Sequence, residues 1–368
     1  MDDLKYWVAF NRIPGMGTVR FRALEQAFAT LEIAWKASAT ELRGVLDQRT
    51  VTAIMARRPD IDPDQEMERL KRAGVTPLTW GAPEYPPRLK EIHDPPPVLY
   101  LKGALLPQDE RSVAVVGTRK ASAYGREVAA LLAGDLARHL VTVVSGLARG
   151  IDAIAHQAAL DAEGRTIAVL GNGLDIVYPP EHRDLAQRIV ATGGALVSEF
   201  PLGTQPEGRN FPRRNRIISG MTLGTLVVEA GEQSGAQWTV EHALQQGREV
   251  FAVPGSIFSP ASQLTNHLIK DGAKLVTGYQ DILEELNLTA VAKQMEFQPL
   301  LASSAIEDQI LSHLSLEPAH IDEVSRASGL PIPTVSGTLA MMELQGLVRQ
   351  TGGMHYVRTR EAMAGYGR

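Results

Sequence analysis

The sequence predicts an α/β protein built around a doubly wound parallel sheet, and three observations carry that expectation. Six short runs, at 113–117, 141–145, 166–170, 195–198, 225–229 and 249–253, are apolar almost throughout. That is the pattern of strands buried on both faces, not of strands alternating across one. Helical patterns such as YGREVAALLAGDLARHL and IDAIAHQAAL lie between most of them, so strands and helices alternate as a parallel sheet requires. A separate C-terminal stretch gives three helices and two short strands, a winged helix-turn-helix pattern.

Residues 1–58 read as short helices. RIPGMGTVRFRALEQAF places a Pro-Gly-Met-Gly turn between helical patterns, with Val19, Leu24 and Phe28 at helical spacing. Such a turn suits a helix-hairpin-helix, whose glycines let backbone N–H groups approach a nucleic-acid phosphate. A single Gly-Met-Gly is a weak signal, and a packing turn in a small helical domain is expected over DNA contact. Residues 59–110 are rich in proline (RRPDIDPDQ, APEYPPRLK, HDPPPVLYLKG), and an extended strap is expected there.

The doubly wound domain is expected over 111–286, with ligands at the carboxyl ends of its strands. A linker at 287–303 then leads to the winged-helix segment, 304–368. AIEDQILSHL, HIDEVSRASGL and PTVSGTLAMMELQGL supply its helices, and VRQTGGMHYVR its hairpin. The would-be recognition helix, 333–345, contains no Lys or Arg, and Gln345 is its one residue suited to reading bases. A protein-contact role is expected for it.

Composition narrows the function. The 368 residues allow two or three domains. No apolar run approaches the roughly 20 residues of a membrane span. The opening MDDLKYWVAF lacks the parts of a signal peptide. With no cysteine, disulfides and thiolate metal sites are excluded, and a cytoplasmic setting is expected. Net charge is −5, so any polyanion site must be local. Residues 111–220 hold 13 Lys/Arg against 10 Asp/Glu, and 221–300 hold 4 against 9. None of those 13 cations falls in the apolar runs.

The chemically suggestive residues follow strands. After the first come Gly117, Thr118, Arg119 and Lys120, with Ser122 placed to cap the next helix. After the second, SGLARGID supplies Ser145, Gly146, Arg149 and Gly150. Such turns feed helix N-termini, where unpaired N–H groups attract anions and arginine adds a bidentate fork. Two of them at adjacent strand ends favour a phosphate site over solvated arginines. In GRNFPRRNRIISG, Arg209, Arg213, Arg214 and Arg216 surround Phe211 and Asn215. Cations beside an aromatic suit single-stranded nucleic acid. The alternative is a basic helix start with Phe211 in the core, with Asn215 and Arg216 holding neighbouring loops together.

Other chemistries fare less well. Gly171-Asn172-Gly173 lacks the third glycine of a dinucleotide loop, and the second strand ends without an acidic residue for a ribose, so NAD is not expected. No lysine follows a glycine, which excludes a Walker A loop. There is no HExxH, and Asp152 and His156 read as a helix-face pair. Ser145 lacks the G-x-S-x-G elbow. Glu229 is the one strand-end carboxylate near SG; hydrogen bonding to the SGAQW helix start is expected over catalysis. No catalytic residue, cofactor or metal is expected.

These residues resemble the DprA/Smf family of DNA-processing proteins along the whole chain. YPPRLKEIHDPPPVLYLKG, VVGTRKASAYG, SGLARGIDAIAH, LGNGLDIVYP, SEFPLG, FPRRNRIISG, VVEAGEQSGAQWT and VFAVPGS carry the resemblance. It implies a helical SAM-like domain, an extended Rossmann domain and a winged-helix tail. It also implies a non-enzymatic protein that binds single-stranded DNA, protects it, and helps load RecA recombinase despite single-strand-binding protein. Homodimers formed through the Rossmann domain are implied as well.

The family's phosphate pocket falls on Gly117-Thr118-Arg119, Ser145-Gly146, and Arg213 with its neighbours. Two positions depart from the pattern: Pro180 stands where many members carry a basic residue, and His182 where Asn is common. Lys120 or Arg183 could take over the missing contact. The resemblance also places the acidic 221–300 stretch toward the dimer and recombinase faces. A phosphoribohydrolase of the lysine-decarboxylase-like group is the main alternative. SGMTLGTLVVEA keeps Gly224-Thr225 but lacks the Pro-Gly-Gly of such enzymes. A winged-helix transcription regulator is a third reading, and the uncharged recognition helix weakens it.

Overall fold

In the computed structural model, residues 3–288, 305–315, 317–344 and 347–359 are described. The chain divides into two compact units, Met1–Asn287 and Leu288–Arg368.

The first unit begins with helices α1 (Leu4–Asn11), α2 (Thr18–Ala27), α3 (Leu31–Lys36), α4 (Ala39–Arg43) and α5 (Gln48–Arg57). Their starts are written locally. Thr30 and Asp47 accept backbone N–H bonds as N-caps, and Ser38 with Glu41 forms a reciprocal capping box. The helices close on an aromatic core. Phe21 stacks on Trp7 at 5.2 Å between ring centroids, and Phe10 meets Trp35 edge-on at 4.9 Å. Val19 departs from the expected apolar face, at 77% exposed, while Phe21 and Leu24 are fully buried.

The proline-rich stretch is more structured than a strap. Asp62 caps α6 (Pro63–Ala73), Pro63 occupies its first turn, and Gly74 ends it with φ 64°. Two antiparallel strands follow, β1 (Thr76–Thr79) and β2 (Val98–Gly103), separated by α7 (Pro87–Glu91). Prolines interrupt the segment without preventing burial. Tyr85, Leu89, Leu99 and Tyr100 are all core residues, and Tyr100 donates its hydroxyl to Asn11 Oδ1 at 2.9 Å.

All six expected strands are present: β3 (Ser112–Val116), β4 (Thr142–Ser145), β5 (Thr166–Leu170), β6 (Ala195–Ser198), β7 (Gly224–Val227) and β8 (Glu249–Ala252). They pair in parallel, with a short β9 (Lys274–Leu275) beyond β8. Strand β2 pairs antiparallel with β6, giving the order β1-β2-β6-β5-β4-β3-β7-β8-β9. The helices are α8 (Ala123–Arg138), α9 (Ile151–Asp161), α10 (Arg183–Ala191), α11 (Asn210–Gly220), α12 (Ala236–Gln245), α13 (Gln263–Lys270) and α14 (Tyr279–Glu285). One apolar cluster joins the N-terminal helices to Tyr100, Leu170 and Leu196 of the sheet. The other fills the opposite face through Leu99, Val116, Val169 and Ile217.

The second unit holds α15 (Ala305–Leu311), α16 (Ile321–Ser328) and α17 (Ile332–Leu344). Beside them lies an antiparallel sheet of β10 (Ala319–His320), β12 (His355–Arg358) and β11 (Val348–Gly352). Ile310, Val324, Val335, Leu339 and Met342 form its core. Strand β10 adds a third strand to the expected hairpin. Gln345 and nearly all of the expected 287–303 linker lie outside the described residues. No helix among the described residues is long and apolar enough to cross a membrane.

Candidate functional site

Strand order sets the position of the site. From β3 the sheet is built outward through β4, β5 and β6, and the chain then returns through α11 to β7 on the other side of β3. Loops leaving β3 and β7 therefore diverge, and a crevice opens at this switch point. A cleft of about 460 Å³ lies there, lined by Thr118, Arg119, Lys120, Phe211, Asn215 and Trp238 among others.

The loop after β3 is held rigidly from beneath. Glu229, only 2% exposed, accepts the Ser122 N–H at 2.8 Å and the Ser122 hydroxyl at 2.6 Å. Its carbonyl accepts the Thr118 N–H at 2.7 Å. Ser122 Oγ in turn caps α8 by accepting the Gly125 N–H at 3.0 Å. A Cβ on Gly125 would lie 2.3 Å from Glu229 Oε2, so only glycine fits over this carboxylate. Gly150, at φ 77°, passes so close that a Cβ would sit 2.2 Å from Thr118 O. Glu229 thus serves the β3–α8 loop. The bond expected to the SGAQW helix start goes instead to Ser122, because the Thr118–Ser122 loop folds over the end of β7.

The expected site residues divide into exposed and internal groups. Arg119 and Lys120 are exposed, and neither side chain has a hydrogen-bond or ion-pair partner among the described residues. The Arg119 guanidinium lies over the Phe211 ring at 5.7 Å. Phe211 is partly buried and stacks on Tyr178 at 5.7 Å, so it is not the core residue of the alternative reading. Arg213 is half-exposed, bonds Glu199 at 2.7 Å and lies over the Phe200 ring. Asn215 reaches Gly235 O at 3.3 Å and accepts from Arg214 Nε at 3.2 Å, which ties α11 to the start of α12.

Ser145, Gly146 and Arg216 correct the sequence expectation, since each spends its polar groups inside the protein. Arg214, although it lines the cleft, is 4% exposed and bonds inward through Nε and Nη1. Ser145 is fully buried and donates to Val115 O at 2.6 Å. The Gly146 N–H goes to Asp152 at 3.1 Å, and its carbonyl takes Arg214 Nη1 at 2.7 Å. Arg214 also bonds Val169 O; burial lowers its pKa to about 10, which leaves it charged at neutral pH. Burial raises the Asp152 pKa despite the nearby Arg214 and the N–H donors of Ala148 and Gly146. Arg216 is buried; desolvation opposes its charge, but the Glu199 carboxylate outweighs this and raises its pKa. It bonds Glu199 at 2.8 and 2.9 Å and reaches Asp94 O at 3.1 Å. Arg149 lies outside the cleft lining, in an exposed ion pair with Glu181 at 2.6 Å.

Two aromatic residues that sequence reasoning passed over belong to the site. Tyr178 is 37% exposed beside Phe211, and Trp238 is 50% exposed on the cleft wall. Trp238 sits in the first turn of α12, in a segment that reads as a plain helix start. At the departures, His182 Nδ1 pairs with Leu147 O at 2.8 Å and Arg183 is exposed. Among the described residues, no group of three or more His, Asp or Glu side chains is placed to hold a metal ion.

Comparison with known proteins identifies the family. The family model described as DNA recombination-mediator protein A matches residues 76–287, and the DprA winged-helix model matches 295–354. Protein Smf of Synechocystis is 35% identical over 97% of this chain and 99% of its own length. Protein Smf of Escherichia coli is 44% identical over 76% of each chain. The X-ray structure of DNA processing protein A from Streptococcus pneumoniae superposes with a TM-score of 0.66 at 36% identity. It covers 76% of this chain and 97% of its own. DNA processing protein A of Helicobacter pylori, solved in a study of its single-stranded DNA binding mode, gives a TM-score of 0.52 at 28% identity. That match covers 58% of this chain and 95% of its own. With both domain models matched in order and one relative aligned over nearly the full length, this chain belongs to the DprA/Smf family of DNA recombination-mediator proteins.

Proposed function

We propose that the chain is a single-stranded DNA-binding recombination mediator whose binding site is the switch-point cleft. The observation that carries this reading is the pair of cations in the cleft lining, Arg119 and Lys120, whose side chains have no hydrogen-bond or ion-pair partner among the described residues, with Arg119 lying over Phe211 of the Phe211–Tyr178 stack. Cations that need not break an internal pair are free to meet phosphates, while aromatic faces take bases without regard to sequence. The single-strand binding described for the Helicobacter pylori relative supports the same ligand.

Arg213, half-engaged by Glu199 and outside the lining of this cleft, adds a further cation nearby, and Gly117, Thr118 and Asn215 shape the cleft wall. In this reading the protein acts in the cytoplasm, protects the strand and helps load RecA recombinase on it despite single-strand-binding protein. It does so as a homodimer through the Rossmann domain. It performs no catalysis: the strand-end carboxylate that a phosphoribohydrolase would need, Glu229, is committed to Ser122.

Titration of fluorescent single- and double-stranded oligonucleotides of equal length tests the reading. Preference for the single strand, lost in Arg119→Ala/Lys120→Ala, is expected. Equal affinity for both duplex and single strand would overturn it.

A further inference from the structure

A second cleft, of about 600 Å³, lies between the α1–α2 turn and the loop joining β6 to α11. Its lining includes Arg12, Arg69, Arg209 and Arg213, against Glu199 and Glu207. We propose that this cleft is a second phosphodiester-binding site, taking the backbone of the same DNA strand where it leaves the switch-point cleft. The inference rests on the proposed reading of that first cleft.

Three features of the geometry support it. First, the two clefts flank one helix turn. Phe211, Arg214 and Asn215 face the switch-point cleft, while Asn210 and Arg213 line the second, as helical periodicity dictates. A strand crossing the start of α11 passes directly from one cleft to the other.

Second, the arginines are organised without being used up. Arg69 bonds Glu66 through Nη1 at 2.9 Å, Arg209 bonds Glu207 through Nε at 2.7 Å, and Arg213 bonds Glu199 through Nη2 at 2.7 Å. Each guanidinium carries five N–H donors, so further donors remain beyond these pairs. Arg12 is the most committed, with Nη1 on Leu202 O at 2.7 Å and Nε 3.7 Å from Glu66. Cations outnumber carboxylates along the lining, and a concave wall concentrates their field.

Third, the N-terminal turn is fixed against this wall. Thr18 donates to Asp94 and to Pro95 O, and Arg216 reaches Asp94 from the other side. Pro14, Gly15 and Met16 line the cleft beside these bonds, which gives the glycine turn a use beyond packing.

The test is a ladder of fluorescent oligo-dT, from about 6 to about 30 nucleotides, titrated against the full-length chain. Arg69→Gln/Arg209→Gln is expected to bind the shortest oligonucleotides within about twofold of the parent but to lose about tenfold on the longest. Its salt slope on long oligonucleotides should be shallower by about 1.4, for two phosphates at roughly 0.7 each. The double Lys variant at the same positions keeps both charges and should retain most of the long-oligonucleotide affinity. Arg209→Gln alone, at a side chain 82% exposed, guards against a folding effect and should show part of the same length-dependent loss. Unchanged binding at every length, or equal loss at every length, would remove the second cleft alone. A parent that binds no oligonucleotide would remove the proposed function with it.

Discussion

Arg216 grips the buried carboxylate of Glu199 with both terminal nitrogens, at 2.8 and 2.9 Å, while the half-exposed Arg213 reaches the same carboxylate at 2.7 Å. One acid therefore anchors an internal arginine and orients an exposed one. Losing the internal partner strands a charge that water cannot reach. Arg216→Ala is expected to cost about 3–5 kcal/mol of stability. Arg213→Ala, at a half-exposed side chain, should cost under about 1 kcal/mol and weaken single-strand binding. Thermal melts and titrations of the two variants separate these roles; equal losses of Tm would contradict the division.

Glu229 is assigned to loop support, so its removal should show in stability. Glu229→Ala leaves the Ser122 N–H and hydroxyl without their acceptor, at a cost of about 1–3 kcal/mol. Nucleoside monophosphates should be hydrolysed by neither the parent nor this variant. Hydrolysis by the parent that disappears in Glu229→Ala would restore the enzyme reading.

Trp238 is the most exposed of the four tryptophans, with Trp7 and Trp35 buried and Trp80 partly so. Stacking of a base on its ring should quench its fluorescence on addition of oligo-dT. Trp238→Ala should lose about 1–3 kcal/mol of binding, roughly 5- to 150-fold in affinity. Full quenching retained in Trp238→Phe would show that the signal comes from elsewhere.

His156 gives a pH signature. Thr166 donates its hydroxyl to Val143 O at 2.7 Å, so it can only accept from His156 Nδ1, at 2.6 Å. The ring therefore carries its proton on Nδ1, and Nε2, buried without a partner among the described residues, favours the neutral form. Burial, with Arg214 and His182 nearby, lowers its pKa from 6.5 to about 3. Between those values the unfolded chain binds the extra proton. Stability therefore rises with pH in that window and is lost as pH falls from about 6.5 toward 3, at up to about 1.4 kcal/mol per unit. His156→Gln should flatten the difference in Tm between pH 7.5 and 5. An unchanged difference would contradict the assignment.

Much of the sheet was legible because burial on both faces leaves uninterrupted apolar runs, as in SVAVV and TIAVL. Strands β1 and β2 were not, because the prolines around them mask short runs that bury Leu78, Val98 and Tyr100. At the site, Arg119 and Lys120 stood out as strand-end cations. Arg214 and Arg216 carry the same local signal, yet both are buried. Their partners, Val169 on β5 and Gly146 and Glu199 just past β4 and β6, are distant in sequence and have no local mark in FPRRNRIISG. The alternative reading of Asn215 and Arg216 as ties between loops describes their bonds to Gly235, Asp94 and Glu199 well. Tyr178 and Trp238 escaped notice because a lone aromatic in a loop or first helical turn reads as packing until its neighbours are known.

The most direct measurement is the salt dependence of single-stranded oligonucleotide binding by the parent and by Arg119→Ala/Lys120→Ala. With about four phosphates neutralised, the parent should show log affinity falling with log salt at a slope near −3, and the variant near −1.5. The loss should be alike for unrelated sequences, because phosphate contacts carry no base information. A parental slope near zero, or the same slope in both proteins, would contradict the switch-point cleft as the strand's binding site.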